Sequence, residues 1–386
     1  MDFRLSDDQQ KLRQVARDFA RAELPAIAAK LERDNQPPPR DLIRRYAQMG
    51  FLGVNVPEAL GGLGLGNLDA LIVLEEFAKI SSAVAFPIFE SMVGPVRAVE
   101  RFANDSLKQR IVPQVCSGEM IVAVAMSEPD AGSALTDLKT SARIEGDQIV
   151  INGTKRWCSG GGHSDAYVVY CRLSDDPGAK GIGAVLVEKD AAGLNFGPNE
   201  HLMGFRGIPS ADLNFDDCRV PIDNLVVSAG GFKKLMEAFD LERCGNATMA
   251  LGQASGALED ILLYVEERRQ FGKALAEFQA VQIKLAEMQM KVEAARLLIW
   301  RAAANAEDGL PSILDSSLGK CFANTIAREV TGDALQLMGA YGYSKEFPME
   351  RRFRDSWGWG IAGGAIDIQK VNIAGAMLGR RFDQRR

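Results

Sequence analysis

ERRQFGKALAEFQAVQIKLAEM, residues 267–288, lies between two long segments whose apolar residues recur at helical spacing. Gly272 within it is typical of a helix C-terminus, so one helix is expected to end here and another to begin. After this turn, apolar residues follow in steps of four and three at Val281, Leu285, Met288, Val292, Ala295 and Ile299. Such a narrow stripe is typical of a helix packed against other helices. We therefore predict a helical bundle over residues 229–386.

The middle of the chain has a strand pattern instead. Short runs, several rich in β-branched residues, are separated by Gly, Asp, Asn and Pro: IVAVAMS (121–127), QIVING (148–153), AYVVYCRL (166–173), GAVLVEK (183–189) and ADLNF (211–215). This pattern predicts an antiparallel β domain over residues 121–228. The Glu145–Asp147 step is typical of a hairpin turn between two of its strands.

Residues 1–120 again have helical patterns. Ser6 followed by Gln9 is typical of a capped helix start, and a Gly-rich loop precedes a predicted helix from Leu68 to Ser81. Helices, then strands, then helices do not alternate as βαβ units, which disfavours a Rossmann fold. The predicted fold class is mostly α with a middle β domain, divided into residues 1–120, 121–228 and 229–386.

The composition of the 386-residue chain excludes several classes of protein. Hydrophobic residues make up 47% and charged residues 25%, the balance of a soluble globular protein, and the net charge of −6 lacks the basic footprint of a nucleic-acid-binding protein. No apolar run is long enough for a membrane span, and the N-terminus lacks the apolar region of a secretory signal. With two His, and six Cys in no CxxC pair, we expect no metal site and reduced thiols in a cytoplasm.

Two motifs in the β domain are candidates for binding a flat or phosphorylated ligand. In Ser127–Ser133, Pro and Gly end a strand, and the turn exposes N–H groups and hydroxyls that suit a phosphate or a ring edge. An ordinary loop between strands is the alternative. Trp157 stands close to the triple glycine 160–162, where backbone can approach a planar ligand. The alternative for Trp157 is a core residue before a flexible turn.

Two more motifs lie at helix ends in the predicted bundle. Arg268 comes at the end of the first long helix, where it either binds a pyrophosphate or is a solvated charge favoured by the helix dipole. The segment Gln336–Tyr343 contains a Gly at a predicted turn, and a simple helix stop also explains it. Each motif alone is weak, and their order along the chain is the stronger signal.

In that order the chain resembles the acyl-CoA dehydrogenase family over residues 1 to about 380. The matching stretches are AVAMSEPDAGS, DLKTSA, INGTKRWCSGGG, LMGFRGIPSADLNFDDCRVP, ERRQFGKALAEFQAVQIKLAEM, DALQLMGAYGY and PMERRFRDS. The resemblance implies the acyl-CoA dehydrogenase fold, with a helical domain, a middle β-barrel and a C-terminal four-helix bundle. It also implies FAD as cofactor, an acyl-CoA thioester as substrate, a homotetramer, and an electron-transfer flavoprotein as electron acceptor.

The resemblance also implies which residues hold FAD. On the β domain these are Met126, Ser127, Ser133, Trp157 and Ser159, with Ser159 at flavin N5 where the family commonly has Thr. Residues that would reach the FAD of a neighbouring subunit are Arg268, Gln270, Phe271, Gln279, Gln336, Gly339 and Ala340. Ala340 stands where many members have Gly. Ala365 and Asp367 complete the implied cofactor contacts.

The implied catalytic base departs from the commonest pattern of the family. Many members carry Tyr-Glu-Gly-Thr, but Ala362–Ala365 stands at that place here, and Gly363 replaces the Glu. The segment Phe239–Arg243 resembles the isovaleryl-CoA and long-chain branches, where the base comes from this helix. Glu242 is therefore expected to be the base, a surface Glu being the alternative. The residues implied to contact the substrate are Ser133, Asp240, Arg243, Gly363 and Gly364.

Two other functions stay open on the same scaffold. The triple glycine, GFRGIPSADLNF and AGGA are similar to the sulfinopropionyl-CoA desulfinase branch, which removes sulfinate without net oxidation. That branch lacks the helix Glu and uses an Arg near the third helix, whereas Ala83–Pro87 contains none. A non-catalytic acyl-CoA-binding protein is the third possibility. The acyl group stays open, with Phe86, Phe89, Glu90 and Met92 as candidate pocket residues and Trp357 and Trp359 near the mouth.

Overall fold

The computed structural model describes residues 3–306, 309–380 and 382. Its first part is helical, as predicted. The seven helices of this part are α1 (Asp7–Glu23), α2 (Pro25–Asp34), α3 (Arg40–Gln48), α4 (Asn67–Ala78), α5 (Ser82–Met92), α6 (Val96–Phe102) and α7 (Asp105–Cys116).

Capping residues explain where these helices begin. Ser6 forms a capping box with Gln9 at the start of α1, which confirms the predicted start. The predicted helix over Leu68–Ser81 ends earlier than expected, at Ala78. Ser81 is the reason, because its backbone is extended and its hydroxyl accepts a hydrogen bond from the N–H of Ala83, capping a separate helix, α5.

The second part is a sheet of eight strands. They are β1 (Val122–Ala125), β2 (Ser141–Glu145), β3 (Gln148–Ser159), β4 (Ala166–Arg172), β5 (Ile182–Glu188), β6 (Leu194–Phe196), β7 (Ser210–Pro221) and β8 (Leu225–Val227). The strands are ordered β6-β7-β3-β2-β4-β5-β8, and β1 pairs with β4. Glu145 pairs with Gln148, which confirms the predicted hairpin turn.

The prediction of an antiparallel sheet was wrong for two strand pairs. β1 and β4 are parallel, with Val122 opposite Ala166, and β2 also meets β4 in parallel. The β2–β3 hairpin lies between β1 and β4 in the chain, and this long connection lets β4 return beside β1 in the same direction. The remaining strand pairs are antiparallel.

The third part is a bundle of long helices, as predicted. Its helices are α8 (Phe232–Glu267), α9 (Gln279–Ala304), α10 (Ile313–Met338), α11 (Ala340–Tyr343), α12 (Met349–Trp359) and α13 (Ile366–Met377), and a short ribbon of β9 (Arg269–Gln270) and β10 (Lys273–Ala274) follows α8. The predicted stripe of α9 is buried at Met288, Val292, Ala295 and Ile299.

Helix α8 joins the two helical parts of the chain. A Cβ on Gly252 would lie 2.3 Å from the Cβ of Ala78, so α8 approaches α4 more closely than a larger residue allows. One apolar core consequently extends from α1 through α4 and α8 to α10. Since helices of both ends share this core, the division at residues 120 and 228 stays a prediction.

The described residues contain neither a membrane-spanning helix nor a cluster of metal ligands. No described helix is both long and apolar enough to cross a membrane. Within the same residues, no group of three His, Cys, Asp or Glu side chains is placed to hold a metal ion.

Candidate active site

Glu242 lies on α8 at the junction of the helical parts and the sheet. Its side chain is half-buried, and burial raises the pKa of its carboxyl to about 8, against the opposing effect of Lys320 and Arg243. Burial raises the pKa of the Tyr170 hydroxyl on β4, and nearby Glu242 raises it further. A carboxyl in this environment is a stronger base than an exposed one. The surface-Glu alternative is disfavoured by this position.

A second carboxyl, that of Glu90 on α5, lies near Glu242. Helix α5 packs closely on α8, where a Cβ on Gly245 would lie 3.0 Å from the ring of Phe89 and 2.3 Å from Val93. Glu90 is buried, and burial together with Glu242 raises its pKa well above the usual range. Among the described residues, none donates a hydrogen bond to its carboxyl. Glu90, one of the four residues suggested for the acyl pocket, therefore places a buried carboxyl near Glu242.

The loop that replaces the usual base lies on the other side of Glu242. Gly363 and Gly364 have φ of +64° and +85°, in the left-handed region that favours glycine. The loop carbonyls bind Lys320 of α10, and a Cβ on Gly363 would lie 3.3 Å from Nζ of that lysine. Ala365 follows as the N-cap of α13, and Asp367 is exposed and pairs with Lys370 at 3.1 Å.

Asp240 and Arg243 face the interior beside the base. They form an ion pair with each other, and Ser316 Oγ donates to Asp240 Oδ1 at 2.7 Å. Burial raises the pKa of Asp240 despite these partners. Because Asp240 is already engaged by two neighbours, its position favours support of the site over direct contact with a substrate. Nε of Arg243 has no hydrogen-bond partner among the described residues.

The predicted flavin-contacting residues of the β domain lie side by side. The N–H of Arg156 donates to the carbonyl oxygen of Ser127 at 2.8 Å, which joins the segment after β1 to the end of β3. Between Lys155 and Cys158 the pairing of β3 with β7 shifts register, and Trp157 there has a φ of +60°. This bulge turns the indole outward, with 51% of the residue exposed.

A buried ion pair that the sequence reasoning missed fixes the loop of Ser127–Ser133. Lys155 Nζ contacts Glu128 Oε1 at 2.8 Å and the Met126 carbonyl oxygen at 3.0 Å. The Glu128 carboxylate also accepts hydrogen bonds from the N–H groups of Lys139 and Thr140. Burial alone favours a higher pKa for Glu128, but Lys155 and these donors hold it below the usual value. Ser133 is exposed on this fixed loop.

These groups fit a flavin. The Trp157 indole has the Arg156 guanidinium 4.4 Å from its ring centre and is otherwise exposed. Together with the half-exposed Ser127, Ser159 and Met126 and an exposed loop of small residues, it offers an apolar face with polar edges. Exposed apolar surface with convergent polar groups is typical of a cofactor site. The sheet thus presents groups whose chemistry suits a flavin.

The remaining predicted cofactor residues form a second group at the far end of α8. The Arg268 guanidinium lies 5.5 Å from the ring centre of Tyr341, and Phe271 at the tip of the β9–β10 ribbon is 94% exposed. The other exposed members of the group are Gln270, Gln279, Gln336, Gly339 and Ala340. Since 26 residues of helix separate Glu242 from Arg268, the two lie about 39 Å apart. One subunit therefore carries two separate parts of the predicted site.

Comparison with known proteins shows the family of the chain. Three family models match the chain: the acyl-CoA dehydrogenase N-terminal domain at residues 6–119, the middle domain at 123–218 and the C-terminal domain at 229–378. A probable acyl-CoA dehydrogenase of Mycobacterium leprae is 37% identical over 378 residues, covering 97% of each chain. A 3-sulfinopropanoyl-CoA desulfinase of Paraburkholderia xenovorans is also 37% identical, covering 100% of this chain and 99% of the other.

A solved structure has nearly the same fold as this chain. The butyryl-CoA dehydrogenase of Megasphaera elsdenii superposes with a TM-score of 0.94 at 32% identity, covering 98% of this chain and 100% of the other. The fold and the site together define an FAD-dependent enzyme. The chain belongs to the acyl-CoA dehydrogenase family.

Proposed function

We propose that this protein dehydrogenates an acyl-CoA thioester between its α- and β-carbons, with Glu242 as the base that removes the α-proton. The observation that carries the proposal is the position of Glu242. It is a half-buried carboxyl with a pKa near 8, and it lies near a glycine loop that holds no carboxylate where many relatives have their base. Butyryl-CoA dehydrogenase, named among the similar structures, supports the same class of reaction.

The chain's own groups explain how an α-proton of low acidity can be removed. N–H groups of Gly363 and Gly364 are the candidate donors to the thioester oxygen, where negative charge develops as the proton leaves. The raised pKa of Glu242 increases its affinity for that proton. Bound FAD supplies the acceptor for the hydride that leaves the β-carbon. Packing of α5, α8 and β4 around Glu242 excludes water from the reacting carbons.

We also propose that FAD is held between subunits of a homotetramer. Met126, Ser127, Trp157 and Ser159 offer one binding surface, while Arg268 lies about 39 Å from Glu242 along α8, beyond the reach of one FAD molecule. Arg268 and its exposed neighbours therefore serve the FAD of another subunit. An electron-transfer flavoprotein is the proposed acceptor. A cytoplasmic location fits the six free cysteines.

The desulfinase is the second candidate, favoured by 37% identity to such an enzyme. Two features near the base oppose it. The Glu that the desulfinase branch lacks on this helix is present here as Glu242. No Arg lies on α5 to hold a sulfinate. Dehydrogenation is the function that this lining fits better.

Anaerobic mixing of the holoenzyme with a panel of thioesters tests the proposed function. We expect at least one acyl-CoA of the panel to reduce the flavin, which bleaches its absorbance. Release of sulfite from 3-sulfinopropanoyl-CoA without bleaching would favour the desulfinase. Binding without either change would favour a non-catalytic acyl-CoA-binding protein.

The pH dependence of the reaction is expected to report the raised pKa of Glu242. Because the base must be deprotonated, kcat/KM should be level above pH about 8 and fall about tenfold per pH unit below it. The measurement is steady-state kcat/KM over this range with a neutral acyl-CoA. A rate that does not change between pH about 6 and about 9 would contradict the assignment.

Replacing Arg268 with Ala is expected to weaken FAD retention. The variant loses a guanidinium suited to bind a diphosphate, and hydrogen bonds to charged groups contribute about 1.5–3 kcal/mol, or roughly 10- to 100-fold in affinity. FAD content after gel filtration and the mass of the eluting oligomer are measured together. Arg269→Ala, next in sequence and also exposed, is the matched control. FAD retention in Arg268→Ala equal to that in Arg269→Ala would contradict the cross-subunit site.

A further inference from the structure

Lys320 of α10 is a buried lysine to which neither the sequence nor the proposed chemistry gives a role. Only 1% of the residue is exposed. Its Nζ donates to the carbonyl oxygens of three consecutive residues, Ala362 at 2.5 Å, Gly363 at 2.7 Å and Gly364 at 2.7 Å. A neutral amine has two N–H bonds and an ammonium has three. Three acceptors around one nitrogen therefore match the protonated lysine.

The three carbonyls also determine where the loop's N–H groups point. In a trans peptide the N–H lies opposite the carbonyl of the preceding residue, and the described chain has no cis peptide. With its carbonyls turned towards Lys320, the loop directs the N–H groups of Gly363, Gly364 and Ala365 away from the lysine. None of these three donates to a backbone acceptor in the described part of the chain. Successive free N–H groups of this kind bind anionic oxygen.

Charged groups surround the lysine on two helices. Burial, followed by Arg243 of α8, lowers the pKa of Lys320 well below its usual value, against the opposing effects of Glu242 of α8 and Cys321 of α10. The three carbonyl oxygens around Nζ favour the protonated form. Asn246 of α8 supports the same loop, since its Nδ2 donates to the carbonyl oxygen of Ala362 at 3.3 Å. Lys320 is thus placed where it can act on both the loop and the base.

We propose that Lys320 is a positioning residue of the active site, whose ammonium fixes the 362–364 loop so that its free N–H groups hold the thioester carbonyl oxygen. This inference rests on the proposed function, because it needs a thioester at Glu242. It extends that function to a residue that touches neither substrate nor cofactor. The ammonium also offsets negative charge that develops on the oxygen across the loop.

Loss of the lysine leaves the loop partly supported. In Lys320→Met, the carbonyl oxygen of Gly364 keeps a hydrogen bond from Gln369 Nε2 at 2.9 Å, and that of Ala362 keeps Asn246. Only the Gly363 carbonyl loses its donor entirely. We therefore expect the variant to fold and bind FAD, while the directions of the loop's N–H groups become less well defined.

The experiment compares two ligands that differ in one carbonyl group. In the Glu242→Gln holoenzyme, whose flavin is expected to be reduced about 10²–10⁴-fold more slowly, butyryl-CoA and S-butyl-CoA are titrated and flavin absorbance is followed before reduction sets in. The preference for the thioester measures the carbonyl contact. Adding Lys320→Met should reduce this preference about tenfold, equivalent to one or two misaligned hydrogen bonds. Affinity for S-butyl-CoA, which has no carbonyl, should stay within about twofold.

The controls separate positioning from a general structural role. Lys233→Met removes an exposed lysine of α8 and should change neither affinity. Lys320→Arg keeps the charge and should restore part of the preference. An unchanged preference in Lys320→Met, or an equal loss for both ligands, would overturn the proposal. If Lys320→Met does not fold, Lys320→Gln, which also removes the charge, decides, because an unchanged preference there overturns the proposal and a reduced one supports it.

The same titration distinguishes failure of this inference from failure of the proposed function. If the Glu242→Gln parent binds neither ligand, acyl-CoA is not the substrate class, and both proposals are wrong. If the parent prefers the thioester and Lys320→Met retains that preference, the proposed function stands and only the role of Lys320 is wrong.

Discussion

Replacing Glu242 with Gln is expected to slow reduction of the flavin by an acyl-CoA by about 10²–10⁴-fold. This corresponds to roughly 3–5 kcal/mol in the activation barrier. Gln keeps the shape of the side chain but cannot accept the α-proton, and position 363 offers no carboxylate in its place. FAD content and thioester affinity should stay near wild type, because neither needs the negative charge. Anaerobic stopped-flow absorbance measures the rate.

The matched control is Glu237→Gln, on the same helix, where the carboxyl is exposed and pairs with Lys233 at 3.6 Å. It should reduce flavin at the wild-type rate. Adding Gly363→Glu to Glu242→Gln is expected to restore part of the rate, since both positions lie beside Lys320. Restoration should be incomplete because residue 363 has a φ of +64°. Wild-type reduction by Glu242→Gln would disprove the assignment of the base.

Replacing Lys155 with Met is expected to lower the free energy of unfolding by about 3–5 kcal/mol. Lys155 is fully buried and Glu128 is 7% exposed, so the variant leaves a buried carboxylate without its counter-ion. The same change removes the donor to the carbonyl oxygen of Met126, beside the predicted flavin surface. FAD retention should therefore decrease together with stability. Urea unfolding of the apoprotein and FAD content of the purified holoenzyme are the two measurements.

Lys139→Met provides the control for this second prediction. Lys139 is on the same loop, and its ion pair with Asp130 is long, at 3.7 Å, with both side chains exposed. Its loss should change stability by less than about 1 kcal/mol. Adding Glu128→Gln to Lys155→Met removes the uncompensated charge and should recover part of the loss. A Lys155→Met variant as stable as the wild type would show that the pair does not support the loop.

Local signals in the sequence predicted the helical elements well. The stripe from Val281 to Ile299 repeats along one face, so it indicates a helix without any knowledge of its partners, and α9 covers it. Ser6 with Gln9 predicted the start of α1 for the same reason, because a capping box involves residues three apart. Ser81 was the exception, since Ser also occurs within helices and only its extended backbone identifies it as a cap.

Interactions between distant residues account for what the sequence did not predict. Parallel pairing of β1 with β4 depends on where the intervening hairpin lies, which no local pattern states. Lys320 and Gly363 are 43 residues apart, and Lys155 and Glu128 are 27 apart. In the sequence, Lys320, Lys155 and Glu128 appear only as separate charged residues. No local pattern in the sequence identifies the partner of either lysine.

The candidate site was predictable mainly through the order of its motifs. Glu242 alone resembles any helical Glu, and its half-buried position with a raised pKa became evident only from the packing of α5 and α8. Glu90 shows the same limit, since burial and its neighbour Glu242 determine its state. The length of α8 separates the residues predicted to bind FAD into two groups.

The mass of the thioester recovered after one anaerobic turnover tests the central claim most directly. Holoenzyme and an equimolar acyl-CoA that bleaches the flavin are mixed without any electron acceptor, quenched and analysed by mass spectrometry. Dehydrogenation by Glu242 predicts a product lighter than the substrate by two hydrogens, with a double bond between the α- and β-carbons, and almost none from Glu242→Gln in the same time. A thioester of unchanged mass, or one that has lost another group while the flavin stays oxidised, would contradict it.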